Sequence, residues 1–173
     1  MRRAVFALTA VLAVATMAAA PVGAEDTDTS FELLAGTLSV SAPVSADLGS
    51  TGVDNLTLVG QLGDVTVTDD RGSLVAVWTT TVSSTDFTTG GASADETISN
   101  AQVAYSSGAA TGTSGTGTFV PGAIASLALP GVGGAWAGGV GNNSATWTPT
   151  VTVTLLPGRI AGTYTGTITH SVA

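Results

Sequence analysis

No cysteine and no lysine occur in the 173 residues of this chain, there is one histidine, and only 9% of the residues are charged. Each shortage excludes something. Without cysteine there are no disulfides, on which small exported domains often lean, so packing alone has to hold the fold. A lone His170 without cysteine falls short of the usual zinc ligand set. It also leaves one candidate base for any serine or threonine nucleophile, and His170 sits on an apolar strand face near the end of the chain. The expectation is a protein that is not an enzyme, has no catalytic residues and uses no cofactor or metal.

Basic residues are scarce. The net charge is −8 with four arginines, and loss of Arg2 and Arg3 with a leader takes it to −10. Phosphate binding needs lysine and arginine to displace counterions, so nucleic acid is excluded as a partner, and anionic lipid surfaces are disfavoured. All 12 acidic residues lie between Glu25 and Glu96; from Thr97 to Ala173 the only formal charge is Arg159. Solubility there has to come from Thr, Ser, Asn and exposed backbone. The hydrophobic share of 44% is too high for a disordered chain.

Long hydrophobic runs are also missing, with one exception. Met1 to Ala24 has the build of a secretory signal peptide: Arg2 and Arg3, an apolar stretch from Ala4 to Ala19, and small residues at Val22-Gly23-Ala24. It breaks at Pro21 and meets Glu25 and Asp26, short of the roughly 20 apolar residues a membrane span needs. The expected organisation is a helical leader over 1–24, a flexible acidic tail over 25–30, and a single domain over 31–173, exported without membrane insertion after cleavage.

What is abundant is alternation. Val65-Thr66-Val67-Thr68-Asp69, Leu74 to Val82 and Trp147 to Leu155 place apolar residues and threonines at period two, the signature of strands with one buried face. Ser73–Ser83 is partly apolar on both faces, which suits a central strand. Phe31–Val40, the residues about Leu56–Val67, and Thr97–Tyr105 predict further short strands. Pro157-Gly158 predicts a turn, making Trp147–Leu155 and Tyr164–Val172 a hairpin, with Pro149 marking an edge. Ser106–Gly117 and Gly131–Ala145 read as glycine-rich loops, flexible in the first case. With no helix predicted beyond the leader, the fold class is all-β, an antiparallel β-sandwich of Ig-like or Greek-key type.

Few residues stand out chemically. Asp69-Asp70-Arg71-Gly72 reads as a turn in which aspartate caps backbone N–H groups and Arg71 pairs with a nearby carboxylate. Calcium is the competing use of Asp64, Asp69 and Asp70, with Asp86, Asp95 and Glu96 in the next loop, without an EF-hand spacing to support it. Trp78, Trp136 and Trp147 are the candidate binding residues. Trp78 and Trp147 lie in strand patterns and are core candidates as well; Trp136, set among glycines, either stacks on a ligand or folds back over the end of the sandwich.

Two blocks carry a family likeness. Leu62–Asp69 through Arg71-Gly72 to the strand bearing Trp78 resembles the first half of the WxL domain, with its V-x-V-x-D-x-R-G turn before a tryptophan strand. Ile160–Thr169 resembles that family's closing A-G-x-Y strand. The naming motif is altered: Trp78-Thr79-Thr80 stands at its first position and His170-Ser171-Val172 at its second. The resemblance implies a surface protein of Gram-positive bacteria, of actinobacterial origin, that associates non-covalently with peptidoglycan or with another cell-surface protein; the abundance of Ala, Gly, Thr and Val without lysine hints at a high-GC genome. Two alternatives stand beside it: a pilin- or spore-coat-like subunit assembling by strand addition, and a carbohydrate-binding module using Trp136.

Overall fold

Alternation becomes sheet in the computed structural model, which describes Gly23 and residues 25–173. The expected leader helix lies outside the described residues. Residues 34–173 form one compact unit. Its strands are β1 (Leu38–Ser41), β2 (Thr57–Gln61), β3 (Val65–Asp69), β4 (Ala76–Ser84), β5 (Phe87–Thr88), β6 (Thr97–Ile98), β7 (Val103–Ser106), β8 (Gly112–Ser114), β9 (Thr118–Pro121), β10 (Ala123–Ile124), β11 (Gly131–Gly139), β12 (Asn143–Trp147), β13 (Thr150–Thr154) and β14 (Ile168–Val172). The described helical structure consists of single 3-10 turns at Ala94–Glu96 and Asn100–Gln102. No helix among the described residues is long and apolar enough to cross a membrane.

All the ladders are antiparallel, and the fold is an all-β sandwich. One layer has the order β14-β4-β11-β9. The other is made of two sheets, β1-β3-β12-β8 and β10-β7-β13-β2, that continue into one another. Strands β2 and β3 are separated by Leu62–Asp64, and β12 and β13 by Thr148-Pro149; at this bend the Leu62 N–H donates to the Pro149 carbonyl at 3.1 Å. The long strand β4 crosses both halves. Its Trp78 joins a cluster with Val65, Val67, Phe119, Trp136, Ala145 and Trp147. Its Val82 joins a second cluster with Ile98, Val103, Tyr105, Leu127, Val151 and Val153. The buried positions of β4 alternate with the exposed Val77, Thr79 and Thr81, and its place between β14 and β11 is the central one its sequence suggested.

Several sequence expectations are corrected. The strand read over Phe31–Val40 begins only at Leu38. Trp147–Leu155 and Tyr164–Val172 do not form a hairpin. Strand β13 pairs with β2 and β7, whereas β14 crosses to the other layer and pairs with β4. The turn at Pro157-Gly158 exists, but it begins a connection between layers. Pro149 is buried at an interior break rather than on an edge, where its missing N–H costs no ladder bond.

The two glycine-rich segments are also more regular than their composition suggested. Gly131–Gly139 is β11, the longest partner of β4. Glycine is needed here for close approach. A Cβ on Gly134 would lie 2.7 Å from the Phe119 ring, so the bare backbone makes room for the aromatic cluster. Ser106–Gly117 contains β8, anchored on β12, and the hydroxyl of Thr116 donates to the Val140 carbonyl at 2.8 Å.

Candidate functional site

The turn after β3 closes by local chemistry. Gly72 takes a left-handed φ of +64°, a conformation that glycine adopts without steric cost. The chain then folds back so that the Arg71 guanidinium reaches the carboxylate of Asp69: Nε donates to Oδ1 at 2.8 Å and Nη2 to Oδ2 at 2.9 Å. The Arg71 backbone N–H adds a third bond to Oδ1 at 3.1 Å, and Nη2 also donates to the Val77 carbonyl at 2.9 Å. Asp69 has no exposed surface, while the Arg71 side chain keeps 34% of its own. Hydrogen bonding from Arg71 holds the Asp69 carboxyl below its ordinary range despite burial, which pulls the other way. The same bonds raise the Arg71 value. The expected turn is therefore present, and its ion pair is bidentate.

Asn143 carries this turn into the core. Its Nδ2 donates to Asp69 Oδ2 at 3.4 Å, and its Oδ1 accepts the indole N–H of Trp78 at 2.7 Å. Trp78 lies between the other two tryptophans, 6.0 Å from Trp136 and 6.4 Å from Trp147 with interplanar angles of 16° and 20°. Phe119 stacks on Trp147 at 5.0 Å. Trp136 is in register with Trp78 on the ladder, and its N–H donates to the Thr116 carbonyl at 3.0 Å. Its placement in a loop is corrected: it is a buried strand residue. All three indoles are enclosed, so none presents a face on which a sugar ring or a partner can stack.

A second polar thread runs through the other cluster. The Trp147 N–H donates to the Tyr105 oxygen at 3.0 Å, and His170 Nε2 lies 3.2 Å from the same oxygen. An indole only donates, so the phenol O–H is free to donate to His170, which suits a neutral imidazole with its proton on Nδ1. Burial drives both groups toward neutrality: it lowers the His170 value and pushes Tyr105 up to about 12. The histidine is thus neutral in the fold and charged more readily in the unfolded chain. Stability from this site is complete above the ordinary imidazole value of 6.5 and falls as acid drives the pH toward the lower folded value. The tyrosine acts at the other end. Its contribution is complete below 10 and is lost as the pH climbs toward about 12. We expect a stability plateau between those limits, with an alkaline fall of about 1 kcal/mol by pH 11 that Tyr105→Phe abolishes. Urea midpoints measured from pH 5 to 11 check both limbs.

The carboxylates considered for calcium are dispersed into separate tasks. Asp69 is held by Arg71; Asp64 Oδ1 accepts the Thr148 hydroxyl at 2.6 Å, and Asp86 Oδ1 accepts the Asn100 N–H at 2.7 Å. No group of three or more potential metal ligands occurs among the described residues.

Outside, the strands carry almost no charge: Asp69 is the only acidic or basic residue in the fourteen, apart from the titratable His170. Hydroxyls take its place. Ser41, Thr66 and Thr146 fall in one cross-strand row, and Ser39, Thr68, Ser144 and Ser114 in the next. Thr150, Thr152 and Thr154 continue the face along β13. Neighbouring hydroxyls meet, at 2.9 Å for Thr66 and Thr146 and 2.7 Å for Ser114 and Ser144.

Sequence reasoning missed Asn143 and Tyr105, whose partners lie 65 and 42 residues away; no local pattern marks them. Compared with known proteins, the chain matches no family model, no curated protein and no solved structure.

Proposed function

We propose that this is an exported surface protein of a Gram-positive bacterium whose β-sandwich associates non-covalently with the cell wall, through peptidoglycan or another surface protein. The observation that carries this reading is the hydroxyl-covered, charge-free outer face of β3, β12 and β13. Such a face offers donors and acceptors to a glycan or peptide without the desolvation penalty of charge. The leader pattern supplies the compartment. The two blocks that resemble the WxL domain meet as neighbouring strands, with Thr80 opposite Val172 and Val82 opposite His170. The tryptophan and leucine positions of both motifs face inward on these strands, so in this chain they serve packing, and contact with the wall falls to the outward hydroxyls.

The test is co-sedimentation of the protein with purified Gram-positive peptidoglycan. Saturable pelleting is expected, reduced severalfold by Thr152→Glu, which places a charge on the outer face without touching the core. Because the acidic half repels anionic wall polymers, binding should strengthen as salt rises toward about 0.15 M and the screening length shortens to about 8 Å. Failure to pellet at any salt rules out peptidoglycan and leaves another surface protein as the partner; a Thr152→Glu variant that binds as well as the parent rules out the outer hydroxyl face as the contact.

A further inference from the structure

The ladder between β1 and β3 stops short of the segment that leads into it. The sequence predicts a strand over Phe31–Val40, yet only Leu38–Ser41 is laddered. The reason lies in the neighbour. Past Leu38 the Asp70 N–H still donates to the Thr37 carbonyl at 2.9 Å, and the Gly36 N–H to the Asp70 carbonyl at 3.0 Å. Gly72, at its left-handed φ of +64°, then turns the chain away, so β3 offers nothing to the residues before Gly36. Among them Phe31, Leu33 and Leu34 keep 94%, 88% and 79% of their surfaces exposed. Single exposed apolar residues are ordinary; three large ones within four positions form a contact surface.

The far end of the β3–β2 run holds a cleft of about 720 Å³. Ala46–Val53 form one wall and Leu155–Gly166 the other, with Leu58, Phe87 and Val153 on the floor. Strand β2 is the last of its sheet and pairs with β13 alone. A free edge of this kind accepts a further extended segment, whose alternate side chains enter the adjoining pockets. The arm of the same chain cannot supply that segment. Between Asp70 and Leu58 the chain runs through β3 and β2, about 40 Å of contour at the rise of a strand, and the bend at Leu62–Asp64 takes up only part of it. The five residues from Gly36 back to Phe31 extend about 18 Å at most. An arm tied down at Asp70 therefore falls short of its own cleft, and only the arm of another copy can fill it.

We infer that the Phe31–Leu34 arm of one copy docks in the cleft of a second copy, along the free edge of β2. Phe31 and Leu33 share one face of an extended chain and lie on Leu58, Phe87 and Val153. Arm and cleft are different surfaces, so the contact is heterologous and propagates head to tail. The arm also carries Glu32, behind Glu25, Asp26 and Asp28, in a chain of net charge −8. Copies therefore repel one another at low salt, and association strengthens as salt screens that repulsion. The contact does not use the outer hydroxyl face and does not rest on wall association.

Sedimentation velocity of the full chain over a concentration series, at about 0.15 M salt, tests this. Species of increasing size are expected as concentration rises. Phe31→Ser combined with Leu33→Ser should weaken association at least about tenfold, the effect of withdrawing two large apolar side chains from a contact, with the urea midpoint unchanged because both are exposed. Val53→Asp, which puts a carboxylate on the exposed lip of the cleft, should weaken it similarly. The double variant keeps the cleft and Val53→Asp keeps the arm, so a mixture of the two should form a 1:1 pair with the parent's affinity and grow no further. A synthetic peptide spanning Thr29–Thr37, added in excess to the parent, should dissolve the larger species. The inference is overturned if the parent is monomeric at every concentration, if the double variant self-associates as the parent does, or if the mixture forms no pair. The peptide needs no variant, so a folding defect in Val53→Asp leaves a decisive measurement: larger species that persist at saturating peptide also overturn the inference.

Discussion

Replacing Trp78 by alanine should cost about 4 kcal/mol, the range seen when a buried large aromatic is truncated. The loss has three parts. The indole sits between Trp136 and Trp147 and touches Phe119 at a centroid distance of 6.2 Å, so its removal empties the middle of the first cluster. Aromatic pairs of this kind add about 0.5–1.5 kcal/mol each beyond area burial. The Asn143 carbonyl oxygen also loses its donor and is left buried. Against a typical total of about 5–15 kcal/mol, a single substitution of this size removes about a quarter or more of the stability. Trp78→Phe separates the parts: it restores most of the packing and omits the N–H, so it should recover more than half of the alanine loss. Urea unfolding followed by near-ultraviolet circular dichroism measures both. A loss below about 1 kcal/mol for the alanine variant would mean that the cluster collapses around the gap or that Trp78 does not organise it.

This core role explains which parts of the molecule could be read from sequence. Alternation at period two reports which residues share a face, and it correctly marked β3, β4 and β13 and the inward side of Trp78 and Trp147. It reports nothing about partners. Trp147–Leu155 and Tyr164–Val172 look like a hairpin because they are consecutive, yet the ladder of β13 is completed by β2 and β7, and β14 finds β4 instead. Glycine misled for a related reason. In Gly131–Gly139 it clears space under Phe119 and Val82, and that need arises from side chains on other strands, invisible within the segment. The turn at Asp69, Arg71 and Gly72 was legible because cap, charge partner and left-handed residue lie within four positions. The cleft between Ala46–Val53 and Leu155–Gly166 was not legible, since its lining also draws on Leu58, Phe87 and Ile98 from separate stretches of the chain.

The largest polar effect is expected at Asp69. Truncating one partner of a fully buried ion pair costs about 3–5 kcal/mol; here the arginine is partly in water, so the loss on Asp69→Ala should be nearer 2–3 kcal/mol. Its pH dependence has a definite sign. The folded carboxyl titrates below its ordinary value of 3.8, so its contribution is full above that value and disappears as the pH falls through the folded value. The gap between parent and Asp69→Ala should therefore hold at neutral pH and narrow below about pH 4. Arg71→Ala should behave alike for a different reason. It leaves the carboxylate buried beside Asn143 as its remaining side-chain donor, burial then raises the Asp69 value, and protonation relieves the penalty at mildly acid pH. Because both variants break one interaction, the double variant should cost less than the sum of the singles by about 1–3 kcal/mol. An additive cycle at pH 7 would show that the bidentate contact does not couple the two residues, and that the turn is held by Gly72 and the Arg71–Val77 bond instead.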